Sequence, residues 1–341
     1  MNEYQNVKTI VEDLLGNTSA SGREKCFSDY LMQYFKDEDY EIDALNSLKI
    51  RTKGSSKLSF LLDAHIDAIA LVVTDITENG FLKVGQIGSV DRRILNCADV
   101  TVHTNSGVYQ GVVTSVPPHL QNKKADEYSD IEDVLIDVGM DENKAKSVIS
   151  PGDTVSFNYK AYDLLDARIS APSLDNKAGV AVLIRVYEIL KERNVKANVT
   201  YLFSSQEEVG LRGAKASSFE ENPDEAIVVD VSFATAPGIS KREAKELGKG
   251  PMICISPIID KSISDALIMC AKSNEIPYQL EVCPSHTGTN ADVITVSGKG
   301  KKAGLVSVPL RNMHTFCEII SFEDIENSAR LIAKYIEGKA E

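Results

Sequence analysis

Short apolar runs of strand length alternate with amphipathic helical stretches along most of this 341-residue chain, and the alternation breaks once, between about 71 and 165. "LSFLL", "NVTYLFSS", "EAIVVDVS", "PMICISP", "YQLEVCP" and "GLVSVPL" have the length and apolar content of buried strands. "DNKAGVAVLIRVYEILKER", "SDALIMCAKSN" and "FEDIENSARLIAKYIEG" carry apolar residues at helical spacing. Runs of this kind bury themselves as an α/β sheet, mixed but mostly parallel, covered by helices on both faces. Near the N-terminus, Val7, Ile10, Val11, Leu14 and Leu15 predict one helix. Ser21 followed by Glu24 predicts a capping box that opens a second, running through Phe27, Leu31 and Tyr34.

The interruption has a different texture. Its β-rich stretches are punctuated by turn signals at Asn79-Gly80, Ser106-Gly107 and Pro151-Gly152. "IEDVLIDVGMDENKAKSV" within it reads as one or two short helices. The expected organisation is a catalytic domain of 1–70 plus 166–341 with a small β-barrel-like domain, 71–165, inserted into it.

In doubly wound sheets, ligands collect at the carboxyl ends of the strands. Here those ends carry Asp63, His65 and Asp67, then Glu207 and Glu208, Asp230, and finally Arg311 and His314, while Asp175 opens the helix "DNKAGVAVLI". One histidine there is ordinarily a satisfied polar residue, and one carboxylate at a helix start is ordinarily a cap. Two histidines and several carboxylates on one edge of one sheet are harder to dismiss, because buried carboxylates need a counter-charge. Nitrogen and oxygen donors in this number suit two divalent ions, zinc first, bridged by a carboxylate.

Other chemistries fit less well. The net charge of −13 opposes a nucleic-acid partner. No run approaches the roughly 20 apolar residues that span a bilayer, and the N-terminus lacks a secretory pattern, so a cytoplasmic protein without a membrane partner is expected. The six cysteines are scattered without a CxxC, which reads as reduced, mostly core thiols and argues against a thiolate zinc site. The chain has no tryptophan to stack a sugar.

"LLDAHIDAIALVV", "SLDNKAGVAVL", "SSQEEVGLRGA", "VVDVSFATAPG" and "VPLRNMHTFCEII" resemble, in order and spacing, the M42 family of dinuclear metallo-aminopeptidases, relatives of glutamyl aminopeptidases that include members labelled endoglucanases. The resemblance extends over the insertion, through "GVVTSVPPHL" and "SVISPGD". It implies that Asp175 bridges two metal ions. His65 and Asp230 would complete the shell of one, and Glu208 and His314 that of the other. Two divalent ions per subunit are implied, zinc with cobalt or manganese as alternatives. Glu207 matches the general base acting on a metal-bridging water, and Asp67 the acid that fixes the His65 tautomer. Short peptides are the implied substrates. Homo-oligomers are implied as well, dimers formed through the insertion that in this family often build a hollow tetrahedral dodecamer.

Three positions depart from the family pattern: Ala68 where Glu is usual, Asn290 where Asp is usual (with Asp292 nearby), and Asn312 where Tyr is usual. His286, in the loop "PSHTGTN", has substrate contact and plain loop as equal readings. His119 reads as structural and His103 as part of a solvated strand face. The competing functions are a related deacylase or carboxypeptidase, or an assembly subunit that binds metal without turnover. A glycosidase would need two carboxylates facing each other across a sugar cleft.

Overall fold

The computed structural model describes residues 4–17, 19–117, 119, 130–240 and 244–340. Part of the "GVVTSVPPHL" motif (Pro118 and Leu120) and residues 121–129 therefore lie outside the described residues. The chain enters through helices α1 (Gln5–Leu15) and α2 (Lys25–Leu31), then strands β1 (Asp39–Ile42), β2 (Leu48–Thr52) and β3 (Ser59–His65). A second α/β stretch follows the insertion. It comprises α4 (Leu174–Glu192), β12 (Asn198–Ser204), α5 (Arg212–Glu221), β13 (Glu225–Phe233), β14 (Met252–Ile255), α6 (Lys261–Ser273), β15 (Gln279–Val282), α7 (Ala291–Ile294), β16 (Lys302–Leu310) and α8 (Phe322–Ala340).

These strands form one eight-stranded sheet in the order β1-β2-β12-β3-β13-β16-β14-β15. Its centre, β12-β3-β13-β16, is parallel, and antiparallel pairs flank it at β2 and β14. The central strands are apolar on both sides because both faces are covered, as parallel sheets require. One face packs Phe60, Leu62, Tyr201, Phe203 and Val229 against α1, α4, α6 and α8. The other packs Leu61, Leu202, Val228 and Leu305 against α5 and α7.

The segment between is a closed antiparallel barrel of β4 (Ala70–Ile76), β5 (Leu82–Ile87), β6 (Asp99–Thr104), β7 (Gly107–Val113), β8 (Leu135–Asp137) and β9 (Thr154–Phe157), with α3 (Glu142–Val148) between its last two strands. Val73, Leu82, Val100, Val102, Ile136 and Val155 fill its core. Asn79-Gly80 and Pro151-Gly152 fall between elements of this barrel, and Ser106-Gly107 spans the turn into β7. β8 occupies part of the stretch read as helical: "LID" pairs with two neighbours there, and only the later residues form α3. Beyond the barrel, β10 (Tyr162–Leu164) turns back on β11 (Arg168–Ala171), which pairs with β17 (Glu318–Ser321). No helix among the described residues is long and apolar enough to cross a membrane.

The anticipated capping box does not form. α2 begins at Lys25 with no side-chain cap. Ser21 Oγ instead donates to Asp67 Oδ2 at 2.6 Å, and Glu24 Oε1 accepts the N–H of Gly22 at 2.7 Å and that of Gln206 at 3.1 Å. Ser21 thus serves Asp67, just past β3, and Glu24 serves both its own approach at Gly22 and the turn past β12 at Gln206. The cysteine reading also changes. Only Cys254 is buried, Cys26 and Cys97 are exposed, and the other three are half-buried.

Candidate active site

The site is built where the central parallel strands end. β3 delivers His65, buried at 2% exposure, as its last residue. β13 carries Asp230, whose register partner on β16 is Ser307. The first turn of α4 supplies Asp175, and Asn176 pins that turn to the sheet by donating from Nδ2 to Val229 O at 2.9 Å. β12 runs out into Glu207 and Glu208, and the loop after β16 supplies His314. Ser173 (φ 57°), Gln206 (φ 56°), Asn312 (φ 58°) and His314 (φ 62°), all at these turns, adopt left-handed backbone. Such conformations cost energy in non-glycine residues and concentrate at functional sites.

Asp175 is the centre of the arrangement. Its Oδ1 lies 3.1 Å from His65 Nε2, and its Oδ2 lies 3.5 Å from His314 Nε2. Each imidazole meets a further carboxylate: Asp230 Oδ1 is 3.7 Å from His65 Nε2, and Glu208 Oε2 is 3.7 Å from His314 Nε2. His65, Asp175 and Asp230 thus form one trio, and Asp175, Glu208 and His314 a second, each with donor atoms mutually within 4.8 Å. Glu207 lies within the same distance of His65 and Glu208. The seven residues to which the family resemblance gives a role, His65, Asp67, Asp175, Glu207, Glu208, Asp230 and His314, converge here.

The electrostatics of this cluster ask for cations. Six carboxylates (Asp67, Asp175, Glu207, Glu208, Asp230 and Glu318) crowd two imidazoles, and among the described residues no lysine or arginine pairs with the trios. Burial, reinforced by the Asp175 charge, pushes Glu207 up to about 7 and Glu208 up to about 8. Burial likewise raises Asp230 and Glu318 well above the usual carboxylate range. Asp175 goes the other way: burial would raise it, but His314 and His65 hold it low. For both imidazoles burial works toward the neutral form and the surrounding carboxylates overcome it, raising His65 well above 6.5 and His314 to about 9. Buried carboxylates in this excess either take up protons or gather positive charge among them. The donors present, two imidazole nitrogens and carboxylate oxygens, are of the kind that hold divalent ions, and each trio could hold one.

Two acids support the cluster from behind, Asp67, which the sequence indicated, and Glu318, which it did not. Asp67 touches the His65 ring mainly through its main-chain oxygen, 3.0 Å from Nδ1, while its carboxylate stands 3.6 Å away. That carboxylate accepts the N–H of Glu207 at 2.9 Å and of Glu208 at 3.1 Å. Glu318, which no strand-end argument selected, accepts the N–H of Asp175 at 3.1 Å and of His314 at 2.8 Å. Gly88 closes the site from the barrel side. A Cβ there would stand 2.8 Å from Ile69 Cγ2 and 3.1 Å from Glu208 Oε2, and its φ of +72° suits glycine.

The unusual positions have local explanations. Asn290 is buried and donates from Nδ2 to Asp63 Oδ2 and to Ser204 Oγ, both at 2.9 Å; a carboxylate in its place would face that of Asp63. Asp292 closes its own loop by accepting from Thr287 N at 2.8 Å and Thr287 Oγ1 at 2.7 Å. Asn312 adopts φ 58°, a conformation asparagine tolerates, and donates to Cys317 O at 3.0 Å. Ala68 is buried against Ser19, whose carbonyl accepts its N–H at 2.8 Å. His286 is exposed and bonds its neighbour Ser285 at 3.0 Å, outside both trios. His119 is exposed. His103 is half-buried and lies 2.7 Å from Ser156 Oγ, so its strand face is not fully solvated.

Taken with this geometry, the family pattern described as M42 glutamyl aminopeptidase matches residues 46–331, and the chain belongs to the M42 peptidase family. It is a hydrolase of the peptidase class. The chain is 31% identical over 344 residues to the lysyl aminopeptidase of Pyrococcus furiosus, covering 99% of this chain and 97% of the relative. Its fold superposes with a TM-score of 0.91 on an aminopeptidase from the archaeon Desulfurococcus kamchatkensis, at 31% identity, covering 98% of this chain and 95% of the other. The TET1 peptidase of Pyrococcus horikoshii, described as able to assemble into a tetrahedron or a large octahedral shell, matches with a TM-score of 0.87 at 28% identity, over 97% of this chain and 99% of the other.

Proposed function

We propose that this protein is a dinuclear metal-dependent aminopeptidase that removes N-terminal residues from short peptides. The observation that carries the reading is Asp175, whose two carboxylate oxygens face two different imidazoles, each completed by a further carboxylate. His65, Asp175 and Asp230 would hold one ion, and Asp175, Glu208 and His314 the other, with zinc favoured and cobalt or manganese as alternatives. When bound, such a pair of ions would acidify an attacking water and polarise the peptide carbonyl.

This chain's own residues do the rest. Glu207 is held in the turn by its N–H bond to Asp67, and its carboxylate receives no side-chain hydrogen bond among the described residues. It is therefore free to take the water's proton and return it to the leaving amine. The surplus of carboxylates around the trios favours a substrate bearing a free α-ammonium, which supports an aminopeptidase over an endopeptidase. Relatives named aminopeptidases support the same reading. Assembly is part of the proposal. Val108 and Val112 of β7 are exposed apolar residues on the barrel, and we assign the inserted segment 71–165 to dimer formation, with a larger shell built from such dimers; the Pyrococcus horikoshii relative is described as forming a tetrahedron or a large octahedral shell.

Aminoacyl-p-nitroanilides assayed beside their N-blocked counterparts, with zinc, cobalt or manganese added, test the activity. Hydrolysis of the free-amine substrates alone is expected. Preferential turnover of the blocked substrates would replace this reading with a deacylase.

A further inference from the structure

The edge of the sheet holds a second constellation with no role in the reaction above. β14 and β15 run parallel with Cys254 in register with Glu281, and Cys283, just past β15, donates its N–H to Ile255 O at 3.0 Å. This register brings together two cysteines that the sequence shows only as scattered thiols. The two Sγ atoms and a Glu281 carboxylate oxygen lie within 4.8 Å of one another. Cys254 is fully buried, and Glu281 and Cys283 are half-buried.

The carboxylate is oriented rather than loose. Glu281 Oε1 accepts from Ser232 Oγ, and Oε2 accepts from Ser307 Oγ at 3.2 Å. Both donors are neutral hydroxyls, and among the described residues no lysine, arginine or histidine pairs with Glu281. A half-buried carboxylate aimed at two thiols, with its charge uncompensated, is an unfavourable arrangement for packing alone. It is a favourable one for a cation that converts thiols to thiolates. Tetrahedral zinc, with Zn–S of about 2.3 Å, sets its sulfurs roughly 3.8 Å apart, a spacing compatible with ligand atoms that all lie within 4.8 Å of one another. Hydroxyls that fix a ligating carboxylate are a recurrent feature of such sites.

We propose that Cys254, Glu281 and Cys283 bind a third divalent ion of the zinc class, separate from the two Asp175-bridged positions, with water in the fourth place. Loading releases the two thiol protons. The ion ties edge strand β15 to β14 at the point where the chain leaves for loop 284–290, whose last residue, Asn290, reaches Asp63 and Ser204 beneath the active site. Its role is to staple that loop to the sheet. The proposal is independent of the catalytic reading, because neither catalytic trio contains sulfur.

Cobalt(II) separates the two kinds of site. A thiolate ligand produces a near-ultraviolet thiolate-to-cobalt charge-transfer band that histidine and carboxylate ligands cannot. Full-length protein stripped with a chelator, reduced and titrated with cobalt should develop this band to a plateau intensity of one dithiolate-bound cobalt per chain. The double variant C254S/C283S should lose the band and one zinc per chain by elemental analysis. H314A, which alters only a catalytic trio, should keep it, and E281Q should keep the fold while weakening the band's apparent cobalt affinity by at least 10-fold. Cobalt binding to the wild type without the band would overturn the proposal. So would a Cys254–Cys283 disulfide found by peptide mapping of protein purified without reductant, or an unchanged band in E281Q.

Discussion

The carboxylate of Asp67 holds the main chain of Glu207, Oδ1 accepting its N–H at 2.9 Å, while Oδ2 takes the N–H of Glu208 at 3.1 Å and the hydroxyl of Ser21 at 2.6 Å. One buried acid therefore sets the direction in which both glutamates leave the turn. Asp67→Ala leaves these donors without an acceptor at a buried position, a loss of roughly 1–3 kcal/mol. Denaturant midpoints should fall accordingly, and kcat should fall more than KM rises. Activity and stability both at wild-type level would show that the turn holds itself.

The adjacent glutamates should separate by their isosteric variants. Glu207→Gln keeps size and hydrogen bonding but cannot accept a proton, so metal content stays normal and kcat drops about 10²–10⁴-fold. Glu208→Gln removes charge from a trio that includes Asp175 and His314, so one ion should bind more weakly and added zinc should partly restore turnover. Equal loss of metal in both variants, with equal rescue, would make Glu207 a ligand rather than the proton carrier.

Glu318 should matter to metal retention without touching metal. Its two oxygens take the N–H groups of Asp175 at 3.1 Å and His314 at 2.8 Å, so it fixes the backbone of the shared carboxylate and of one imidazole. Loss of such a supporting partner typically weakens a metal by about 10–100-fold. Competition of Glu318→Ala against a chromogenic chelator measures this directly, and wild-type affinity would refute it.

A pH effect on stability should arise far from the site. Burial pushes Asp324 up to about 7, against the pull of the Gly248 and Gly250 N–H groups that it accepts, each at 2.7 Å. The folded protein keeps this proton where the unfolded chain has lost it, so the contribution to stability is present at low pH. It is lost as the pH rises from the ordinary value of 3.8 through about 7. Melting temperatures of Asp324→Asn, compared with wild type from pH 5 to 8, should show a shallower decline. Parallel curves would assign the slope to other groups.

The strand–helix alternation, the barrel's turns and the histidines and carboxylates at the strand ends were legible because each is local. Apolar period, turn chemistry and a polar residue closing an apolar run are all written within a few neighbouring positions. His65, Glu208, Asp230 and His314 could be placed near one another because a parallel sheet brings its strand ends to one edge whatever the order of its strands, and Asp175 because α4 opens beside that edge. What the tertiary structure decided is pairing over distance. Ser21 and Glu24 are placed as a capping box is, yet they bond Asp67 and the turn at Gln206, since burial there rewards satisfying a distant donor more than a helix end open to water. Glu318 became a support and Cys254 the neighbour of Cys283 through strand order and register alone. Sequence periodicity reports which residues are buried, but not which strands lie side by side, because that choice follows from the packing energy of the whole sheet.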